Sequence, residues 1–405
     1  MLILKMAFRN IFRQKRRTIL TGLSMLAGFF LAVVFIGWSD GSYNHIINTF
    51  TSNQLGHIQI HEKTYLDQPS IYKTIDNLSR VSQILDRIDK VQSWAPRLFS
   101  AGLVSVGEKS AGARIIGIDP QRENATTRFD KKIIEGHSLS EAPSHEAVIG
   151  KGLAEILNAQ LNDDIIIISQ AADGSIANDL YTITGISSSG NDMSDRMSFY
   201  LHLKDAQELL VLDGRIHEIA ITVDKLSHVS PVTERIASQL DNPEMVVESW
   251  QVFAKSFYQA MQADKQGMWI MLVIIVVIVA VGVLNTVLMS VLERRREYGL
   301  LKAVGTKPRE IIKLVLLEVA ILAIFSILLG AILGYGANSF LSGHGIKFGE
   351  GFTYGGMTMD TMYSEVNTRS FIIPAVTVLL CSTLVSLYPS FKAAKTEPAK
   401  TMRMH

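Results

Sequence analysis

Residues 270–284 read IMLVIIVVIVAVGVL, and the uncharged stretch that contains them extends from Met268 to Leu292. A bilayer core about 30 Å thick needs about 20 mostly apolar residues in a helix that crosses it. A helix in a soluble core seldom stays apolar on every face over such a length. The stretch therefore predicts a membrane-spanning helix, and the rest of the chain must be organised around it.

Three more stretches meet the same requirement. Residues 18–38, TILTGLSMLAGFFLAVVFIGW, carry no charge, and residues 311–341 carry only Lys313 and Glu318. Residues 370–391 are shorter and include Pro374, which membrane helices tolerate. The first stretch is expected to be an anchor, because it is long for a signal peptide and no small-x-small cleavage site follows it. The sequence thus predicts four transmembrane helices, at 18–38, 268–292, 311–341 and 370–391.

The distribution of charge orients these spans. Residues 1–17 hold six basic and no acidic residues, 293–310 hold six basic and three acidic, and the tail 392–405 holds four basic and one acidic. Residues 40–267 instead hold 20 basic and 30 acidic residues. Because basic residues accumulate on the cytoplasmic side, we expect both termini and 293–310 in the cytoplasm. Residues 39–267 and the short loop 342–369 are then expected outside.

The first 17 residues are predicted to form an amphipathic helix. Lys5, Arg9, Arg13 and Arg16 fall in one sector at 100° per residue, and apolar residues gather on the opposite side. Such a helix lies in the headgroup layer, with its cations near anionic lipid. The alternative is a plain basic flank that only sets the topology.

The segment between the second and third spans is predicted to contain a short helix. Good helix formers run from Glu293 to Val304, and Gly305 followed by Pro308 ends that run. Leu300, Leu301 and Val304 give this charged helix an apolar patch, which suggests docking to a partner. The alternative is a solvated connector whose arginines only set the topology.

Glu318 lies about two turns inside the third span, where a lone carboxylate is costly unless it is paired or buried in protein. Two interpretations follow from this position. The carboxylate is either a functional switch or a helix-packing residue that is satisfied by Lys313 or by a neighbouring helix.

The external segment alternates short β-rich runs with helical ones, which predicts an α+β domain. The β-rich runs are 57–61, 103–106, 114–118, 164–169, 180–186 and 218–223, and the helical ones are Asn77–Asp89, Lys151–Ala159, Lys204–Leu212 and Ser230–Leu240. Residues 250–266 are expected to run into the second span as a continuous helical stalk. His57 and His61 share a strand face, but two histidines alone seldom ligate a metal, and no metal site is predicted.

Composition excludes several classes of protein. The 405 residues are 48% hydrophobic, which excludes disorder, and a single cysteine, Cys381, excludes a disulfide framework. The net charge of +1 argues against nucleic acid as a partner. Residues 299–307 lack the Gly-Lys-Ser/Thr ending of a phosphate loop and follow no strand, so the chain is expected to bind no nucleotide and to have no catalytic residues.

Several motifs together carry a family resemblance. The order of one helix, an external α+β domain and three more helices, with ERRREYGLLKAVGTKPREI at 293–311, resembles the FtsX-like permeases of MacB and lipoprotein-releasing (LolC/LolE-like) ABC transporters, the latter most closely. The tail matches that family's Pro-x-x-x-Ala-Ala-x-x-x-Pro-x-x-x-x-Arg pattern at Pro389, Ala393, Ala394, Pro398 and Arg403. MAFRNIFRQKRRTILT at 6–21, RIIGIDP at 114–120 and 147–169 are also similar, except that Asn162-Asp163 replaces the usual Gly-Asp at a turn.

The resemblance implies a type VII ABC transporter fold, in which four transmembrane α-helices carry a large MacB-type periplasmic α+β domain between helices 1 and 2. It implies a multi-pass protein of the bacterial inner membrane that pairs with a second permease, identical or paralogous. Two copies of a separate ATPase would bind ATP and Mg²⁺, so this chain needs no cofactor and is not itself an enzyme. The coupling helix in the ATPase groove would comprise Glu293, Arg294, Arg295, Arg296, Glu297, Gly299, Leu300, Leu301, Ala303 and Gly305.

Three functions are compatible with this resemblance. The first is the release of lipoproteins or other lipid-anchored cargo from the outer leaflet, with or without a periplasmic chaperone. The second is a MacB-like motor for the efflux of peptides or toxins, working with an adaptor and an outer-membrane channel. The third is FtsX-like signalling to an external hydrolase. We rank the third last, because the external domain in such proteins is much smaller than residues 40–267.

Overall fold

The computed structural model describes residues 2–13, 15–354 and 357–397, and it divides into two compact units. The helical unit comprises Met1–Tyr43, Gln262–Lys347 and Thr361–His405, and the sheet unit comprises Asn44–Met261 and Phe348–Asp360. The expected order of one span, a large α+β domain and three further spans is therefore confirmed.

Four helices among the described residues are long and apolar enough to cross a membrane. The spanning helices are Lys15–Phe50, Lys255–Glu293, Pro308–His344 and Thr368–Ala394, and the last is broken at Ser386 into Thr368–Val385 and Leu387–Ala394. The N-terminal helix is Leu2–Arg13, and the connecting helix between the second and third spans is Arg295–Ala303. The spans present large exposed apolar side chains such as Ile278 and Ile332, as helices that face lipid do.

Buried residues from all four spans form the core of the helical unit. They include Phe29 and Val33 of the first span, Val283 of the second, Ala323 of the third and Val378 of the fourth. Several polar side chains between the spans are paired, which matters because an unsatisfied polar group in hydrocarbon is costly. The third span's Asn338 donates its side-chain amide to the Val33 carbonyl at 3.2 Å and accepts from the Ser364 hydroxyl at 3.0 Å, while Ser326 donates to the Gly22 carbonyl at 3.0 Å.

Close contact between the first and third spans depends on the sequence Gly330-Ala-Ile-Leu-Gly334. A β-carbon added at Gly334 would lie 2.7 Å from Val33 Cγ1, and one at Gly330 would lie 2.6 Å from the Phe29 ring. Small residues four apart let two membrane helices approach in this way. We therefore expect Gly334→Leu to lower the thermal unfolding midpoint of the detergent-solubilised protein, with an overpacking cost of about 1–3 kcal/mol.

Gly336 on the same helix provides the control for that substitution. Nothing lies within 4 Å of a β-carbon added there, so Gly336→Leu should leave the midpoint within error of the wild type. Equal midpoints for Gly334→Leu and Gly336→Leu would show that the contact between the two spans is not tight at this position.

The sheet unit is built on ten strands. They are β1 Ile58–Glu62, β2 Val91–Val106, β3 Lys109–Ile118, β4 Ile133–Gly136, β5 Glu146–Gly150, β6 Asp164–Gln170, β7 Ile176–Ser187, β8 Ser198–His202, β9 Glu218–Val223 and β10 Met245–Ser249. Their order in the sheet is β10-β1-β9-β2-β3-β8-β5-β7-β4, and β6 pairs with both β2 and β7. The β3–β8 and β5–β7 pairs are parallel. A separate hairpin follows the third span, with β11 at Ile346–Tyr354 and β12 at Met357–Met362.

Helices cover the sheet and fill its connections. They are Leu78–Leu85, Pro120–Thr127, Lys151–Leu157, Asp192–Asp195, Leu203–Leu209, Val229–Leu240 and Trp250–Phe253, with a π-helical turn at Thr51–Leu55 and 3-10 turns at Phe129–Lys132 and Leu226–His228. Each of the four predicted helical stretches overlaps one of these helices, and two of the helices, Leu203–Leu209 and Val229–Leu240, begin one residue earlier than predicted. The six predicted β-rich runs fall on β1, β2, β3, β6, β7 and β9, but β4, β5, β8 and β10 were not predicted because they are short and irregular in pattern.

The prediction of one continuous helical stalk from residue 250 into the second span was wrong. The helix Trp250–Phe253 ends at Ala254, and the second spanning helix begins at Lys255. The Trp250 side chain is buried and its ring packs edge-on against Phe257, while the backbone N–H of Trp250 donates to the His57 carbonyl at 3.0 Å. These contacts hold Trp250 within the sheet unit.

Asn162 adopts the conformation that its place in the family pattern requires. Its φ is +67°, in the left-handed region, which glycine enters freely and asparagine tolerates better than most residues. The replacement of the usual glycine therefore preserves the turn before β6.

Candidate functional site

The connecting helix is set off from both spans by defined breaks. The second spanning helix ends at Glu293, Arg294 adopts a non-helical conformation, and the connecting helix runs from Arg295 to Ala303. Gly305 then takes a φ of +100°, and Pro308 opens the third span at a position where its missing N–H costs nothing. The expected extent of the coupling helix was thus wrong at both ends: Glu293 belongs to the second span, and Gly305 lies in the turn.

The connecting helix has one face that is open to solvent. Arg296, Leu300, Ala303 and Val304 are all exposed, and their spacing of four, seven and eight residues puts them along one side of a helix. Leu300 is 60% exposed and Val304 is 82% exposed. The result is an apolar strip, Leu300, Ala303 and Val304, with a cation at its start, and we call these four residues the outer face.

The opposite face packs against the helical core. Tyr298 is fully buried in that core and Leu301 packs against it from a half-buried position. Gly299 is also buried, while Arg295 and Glu297 are half-buried. The predicted patch was therefore wrong in one member, since Leu301 points away from the outer face that Leu300 and Val304 share.

Arg294 connects the connecting helix to the third span. Its Nη1 donates to both oxygens of Glu318 at 2.9 and 3.1 Å, and its Nε donates to Glu297 at 2.9 Å. Asn10 of the N-terminal helix donates its side-chain amide to Glu318 at 2.7 Å. We call Asn10, Arg294, Glu297 and Glu318 the junction network.

The Arg294–Glu318 pair of the junction network is held out of solvent, with side-chain exposures of 8% for Arg294 and 14% for Glu318. Glu318 is thus satisfied by neighbouring segments rather than by Lys313, which had been considered as its partner. Removing one member of a buried ion pair costs about 3–5 kcal/mol, because the other charge is left without compensation. The network therefore makes the positions of three segments interdependent: the N-terminal helix, the connecting helix and the third span.

Two further ion pairs tie the N-terminal part of the chain to the same place. Arg13 lies 3.3 Å from the Glu297 carboxylate, and Arg17 of the first span pairs with Glu293 at the end of the second. Ala7 and Ile11 of the N-terminal helix are buried, whereas Leu4, Phe8 and Phe12 are exposed. One apolar face of this helix packs on the helical unit, and a second is free to contact lipid, as an interfacial helix would be.

The C-terminal motif meets the connecting helix through a lysine. Lys302 donates its ammonium protons to the carbonyls of Ala394 and Thr396 at 3.0 and 2.9 Å. A cation at this point stabilises the carbonyl end of the helix Leu387–Ala394. Pro389, Ala393 and Ala394 are buried, and the remaining motif residues, Pro398 and Arg403, lie outside the described residues.

Three residues of this site were not singled out from the sequence: Asn10, Tyr298 and Lys302. Asn10 is a polar residue between the two predicted faces of the N-terminal helix, and Tyr298 is the one aromatic residue in a charged segment. Lys302 was counted only as part of the topology signal. Each of these features is a weak signal, because any surface helix carries residues of these types.

The two histidines considered for metal binding belong to the sheet core. His57 accepts a hydrogen bond from the Val223 N–H at its Nδ1, and burial lowers the pKa of its imidazole to about 4. His61 hydrogen-bonds through Nδ1 to the Glu62 carbonyl oxygen at 2.8 Å. Among the described residues, no three histidine, cysteine or acidic side chains are grouped so that they could hold a metal ion.

Two family profiles match the chain. Residues 18–239, more than half of the sequence, match the MacB-like periplasmic core domain, and residues 269–398 match the FtsX-like permease C-terminal region. The second match contains the connecting helix and Glu318, so the candidate site falls within a part of the chain that this family shares.

Relatives are similar over most of the chain at low identity. The lipoprotein-releasing system transmembrane protein LolC of Neisseria meningitidis is 23% identical over 76% of this chain and 77% of its own length. An uncharacterized ABC transporter permease of Methanocaldococcus jannaschii is 23% identical over 99% of this chain and 97% of its own. The macrolide export ATP-binding/permease protein MacB of a Shewanella species is 21% identical over 98% of this chain but 60% of its own length.

Proposed function

Because this chain belongs to the ABC transporter permeases of the FtsX, MacB and LolC type, we propose that the outer face of its connecting helix is the docking site for a separate ATPase subunit. Such a subunit would bind and hydrolyse ATP with Mg²⁺, and the permease would contribute no catalytic group. The observation that carries this proposal is the exposure of Leu300 and Val304 on a helix whose other face is fixed in the helical core.

The chemistry of the outer face suits a protein groove better than water or lipid. Its apolar strip is only two helical turns long and is bordered by charged residues such as Arg296 and Lys307. An amphipathic helix that presents apolar anchors four residues apart is a recurring way of filling a hydrophobic groove. A solvated connector would gain nothing from leaving two large apolar residues exposed.

The charge distribution supports one orientation of the permease in the membrane. The basic excess at 1–17 and 293–310 supports a cytoplasmic position for the connecting helix, and the acidic excess at 40–267 supports a sheet unit on the opposite, periplasmic side of the inner membrane. Two permeases, identical or paralogous, would each take one ATPase. Closure of the ATPase pair would move the connecting helix, and the junction network would pass that movement to the third span.

For the cargo, we propose lipoproteins or other lipid-anchored molecules in the outer leaflet. In support, the LolC relative is named for lipoprotein release and its similarity covers about three quarters of both chains. The spans also contain few charged residues, with Lys313 exposed and Glu318 paired, which argues against a polar channel through one permease.

Efflux of peptides or toxins in the manner of MacB is the second candidate. It is favoured by the length of the MacB alignment, which covers 98% of this chain. The two candidates differ in their partners: lipoprotein release would involve a periplasmic chaperone, and efflux would involve a membrane-fusion adaptor and an outer-membrane channel.

Isolation of the native complex from membranes distinguishes these functions. The tagged permease would be extracted with its ATPase, trapped without hydrolysis, and analysed by mass spectrometry for protein and lipid. We expect an acylated protein in stoichiometric amounts. Recovery of an adaptor and a channel protein, with no acylated cargo, would contradict lipoprotein release and support efflux.

A further inference from the structure

The sheet unit contains a charged cavity of about 110 Å³, remote in sequence from the connecting helix. Arg97 on β2 forms its inner wall, donating from Nε and Nη2 to Glu123 at 3.1 and 2.6 Å and from Nη1 to Glu218 on β9 at 3.1 Å. These three side chains are nearly fully buried. Burial alone would raise the pKa of Glu123, but the adjoining Arg97 guanidinium holds that pKa below its usual value.

Two more cations line the same cavity without a carboxylate partner. The structure places no aspartate or glutamate oxygen of the described residues within 4 Å of Lys132 or Arg114. The Lys132 ammonium makes a hydrogen bond of 3.4 Å to the Thr127 hydroxyl and lies 5.8 Å from the centre of the Phe129 ring. The Arg114 guanidinium stacks over Phe99 at 4.3 Å.

The charge balance of the cavity is therefore positive. Three cations, Arg97, Arg114 and Lys132, face two carboxylates, Glu123 and Glu218. Burial lowers the pKa of Lys132 to about 8, against the opposing effect of Glu123. Burial of an ammonium group without a direct ion pair is unfavourable, and an anion bound beside Lys132 would add to the effect of Glu123 in favouring the charged form.

The size and the rim of the cavity define what kind of anion it would accept. A water molecule needs about 10–15 Å³ of such space, so 110 Å³ holds several waters or one compact ion. Gln54, Ser194 and Tyr200 contribute amide and hydroxyl groups to the lining. Donors from several directions around two cations suit an ion with oxygens on every side.

We propose that this cavity binds a tetrahedral oxyanion, a phosphate or a sulfate, through Lys132 and Arg114. Phosphate would reach it either as the free ion or as a phosphate monoester such as that of a lipid headgroup. Arg97 is a positioning residue in this site, because its N–H groups already donate to Glu123 and Glu218. Lys132 and Arg114 retain N–H groups that can donate to an anion.

The test is calorimetric titration of the full-length protein in phosphate-free detergent micelles, with sodium sulfate as the probe at pH 7. We expect one sulfate per chain, and we expect Lys132→Gln and Arg114→Gln each to weaken its binding at least about 10-fold. Lys131→Gln is the matched control, since Lys131 is the exposed neighbour, and Lys132→Arg should retain the affinity because it retains the charge. Absence of sulfate binding by the wild type, or equal affinity for Lys132→Gln, would overturn the proposal.

The pH dependence of the same titration separates anion binding from a merely structural lysine. Sulfate does not titrate between pH 7 and 9, whereas Lys132 loses its proton near pH 8, and the charged groups that act on it are Glu123, Arg97 and Asp195. Binding should weaken as the pH rises through 8 in the wild type, and this fall should be absent in Lys132→Gln. An identical pH profile in both proteins would contradict the role of Lys132.

Competition then identifies the source of the phosphate. Displacement of sulfate by inorganic phosphate would assign the site to the free ion. Displacement from protein in nanodiscs by phosphatidic acid, but not by phosphatidylcholine, would assign it to a lipid phosphate monoester. If neither competitor displaced sulfate, phosphate would be excluded as the ligand and the site would be assigned to sulfate.

Discussion

Leu300→Asp and Val304→Asp are each expected to weaken the association of the permease with its ATPase roughly 30-fold, a cost of about 2 kcal/mol for a central anchor in an interface. Both side chains are exposed on the outer face, so neither change disturbs the packing of the helical unit. ATP hydrolysis by the reconstituted complex should fall toward that of the isolated ATPase. Association is measured by co-purification and by titration of the ATPase against permease in nanodiscs.

Leu301→Asp serves as the control for these two variants. Leu301 has the same chemistry as its neighbour Leu300 but packs against the core of the helical unit. We expect this change to lower the thermal stability of the permease itself, which the outer-face variants should leave unchanged. Wild-type ATPase association by both Leu300→Asp and Val304→Asp would show that the outer face is not the docking site.

Glu318→Leu is expected to have the second large effect, on the coupling of the ATPase to the spans. The change would remove the partner of the buried Arg294 and the acceptor of the Asn10 amide, at a cost of about 3–5 kcal/mol for an uncompensated charge. We expect the permease to insert and to bind the ATPase. Its cargo should no longer alter the rate of hydrolysis, since the third span would no longer follow the connecting helix.

Two further variants make this result specific. Lys313→Gln removes another charge of the same span, and Lys313 is exposed, so the hydrolysis and transport of this variant should match the wild type. Arg294→Met combined with Glu318→Leu replaces the pair by apolar groups, which often restores stability. If the double variant regained stability and also full coupling, the junction network would be a packing device only.

The large features of the fold could be predicted from sequence because each depends on local composition. Four apolar stretches were sufficient to place the spans, and the structure has spanning helices at all four places. Asn162 was identified as the replacement of a turn glycine, and its φ of +67° is the conformation that such a turn requires. In each case the signal is contained within one continuous stretch of the chain.

The rotation of the connecting helix could not be predicted in the same way. Leu300 and Leu301 are adjacent and equally apolar, yet one lies on the outer face and the other packs inward. Which of the two faces outward depends on how the connecting helix is rotated about its own axis, and this helix is separated from the second span by the break at Arg294. A break of one residue leaves no compositional signal, because arginine is a good helix former.

The junction network also could not be predicted from a sequence pattern. Asn10 and Glu318 are 308 positions apart, and Arg294 was one of six basic residues in a segment where any of them could have faced solvent. Burial of Glu318 was recognised as costly, but the partner that offsets the cost depends on how the helices pack. The same limit applies to the cavity at Lys132, whose lining comes from separate segments of the sheet unit between Gln54 and Glu218.

Cysteine cross-linking at position 300 tests the central proposal most directly. Cys381 is the single cysteine of the chain, so Leu300→Cys in a Cys381→Ser background gives one reporter on the outer face, and Ile176→Cys gives a matched reporter at an exposed position of the sheet unit. In intact cells, position 300 should cross-link to the ATPase and resist a membrane-impermeant thiol reagent, while position 176 should react with that reagent. Labelling of position 300 from outside, with no cross-link to an ATP-hydrolysing subunit, would contradict the account.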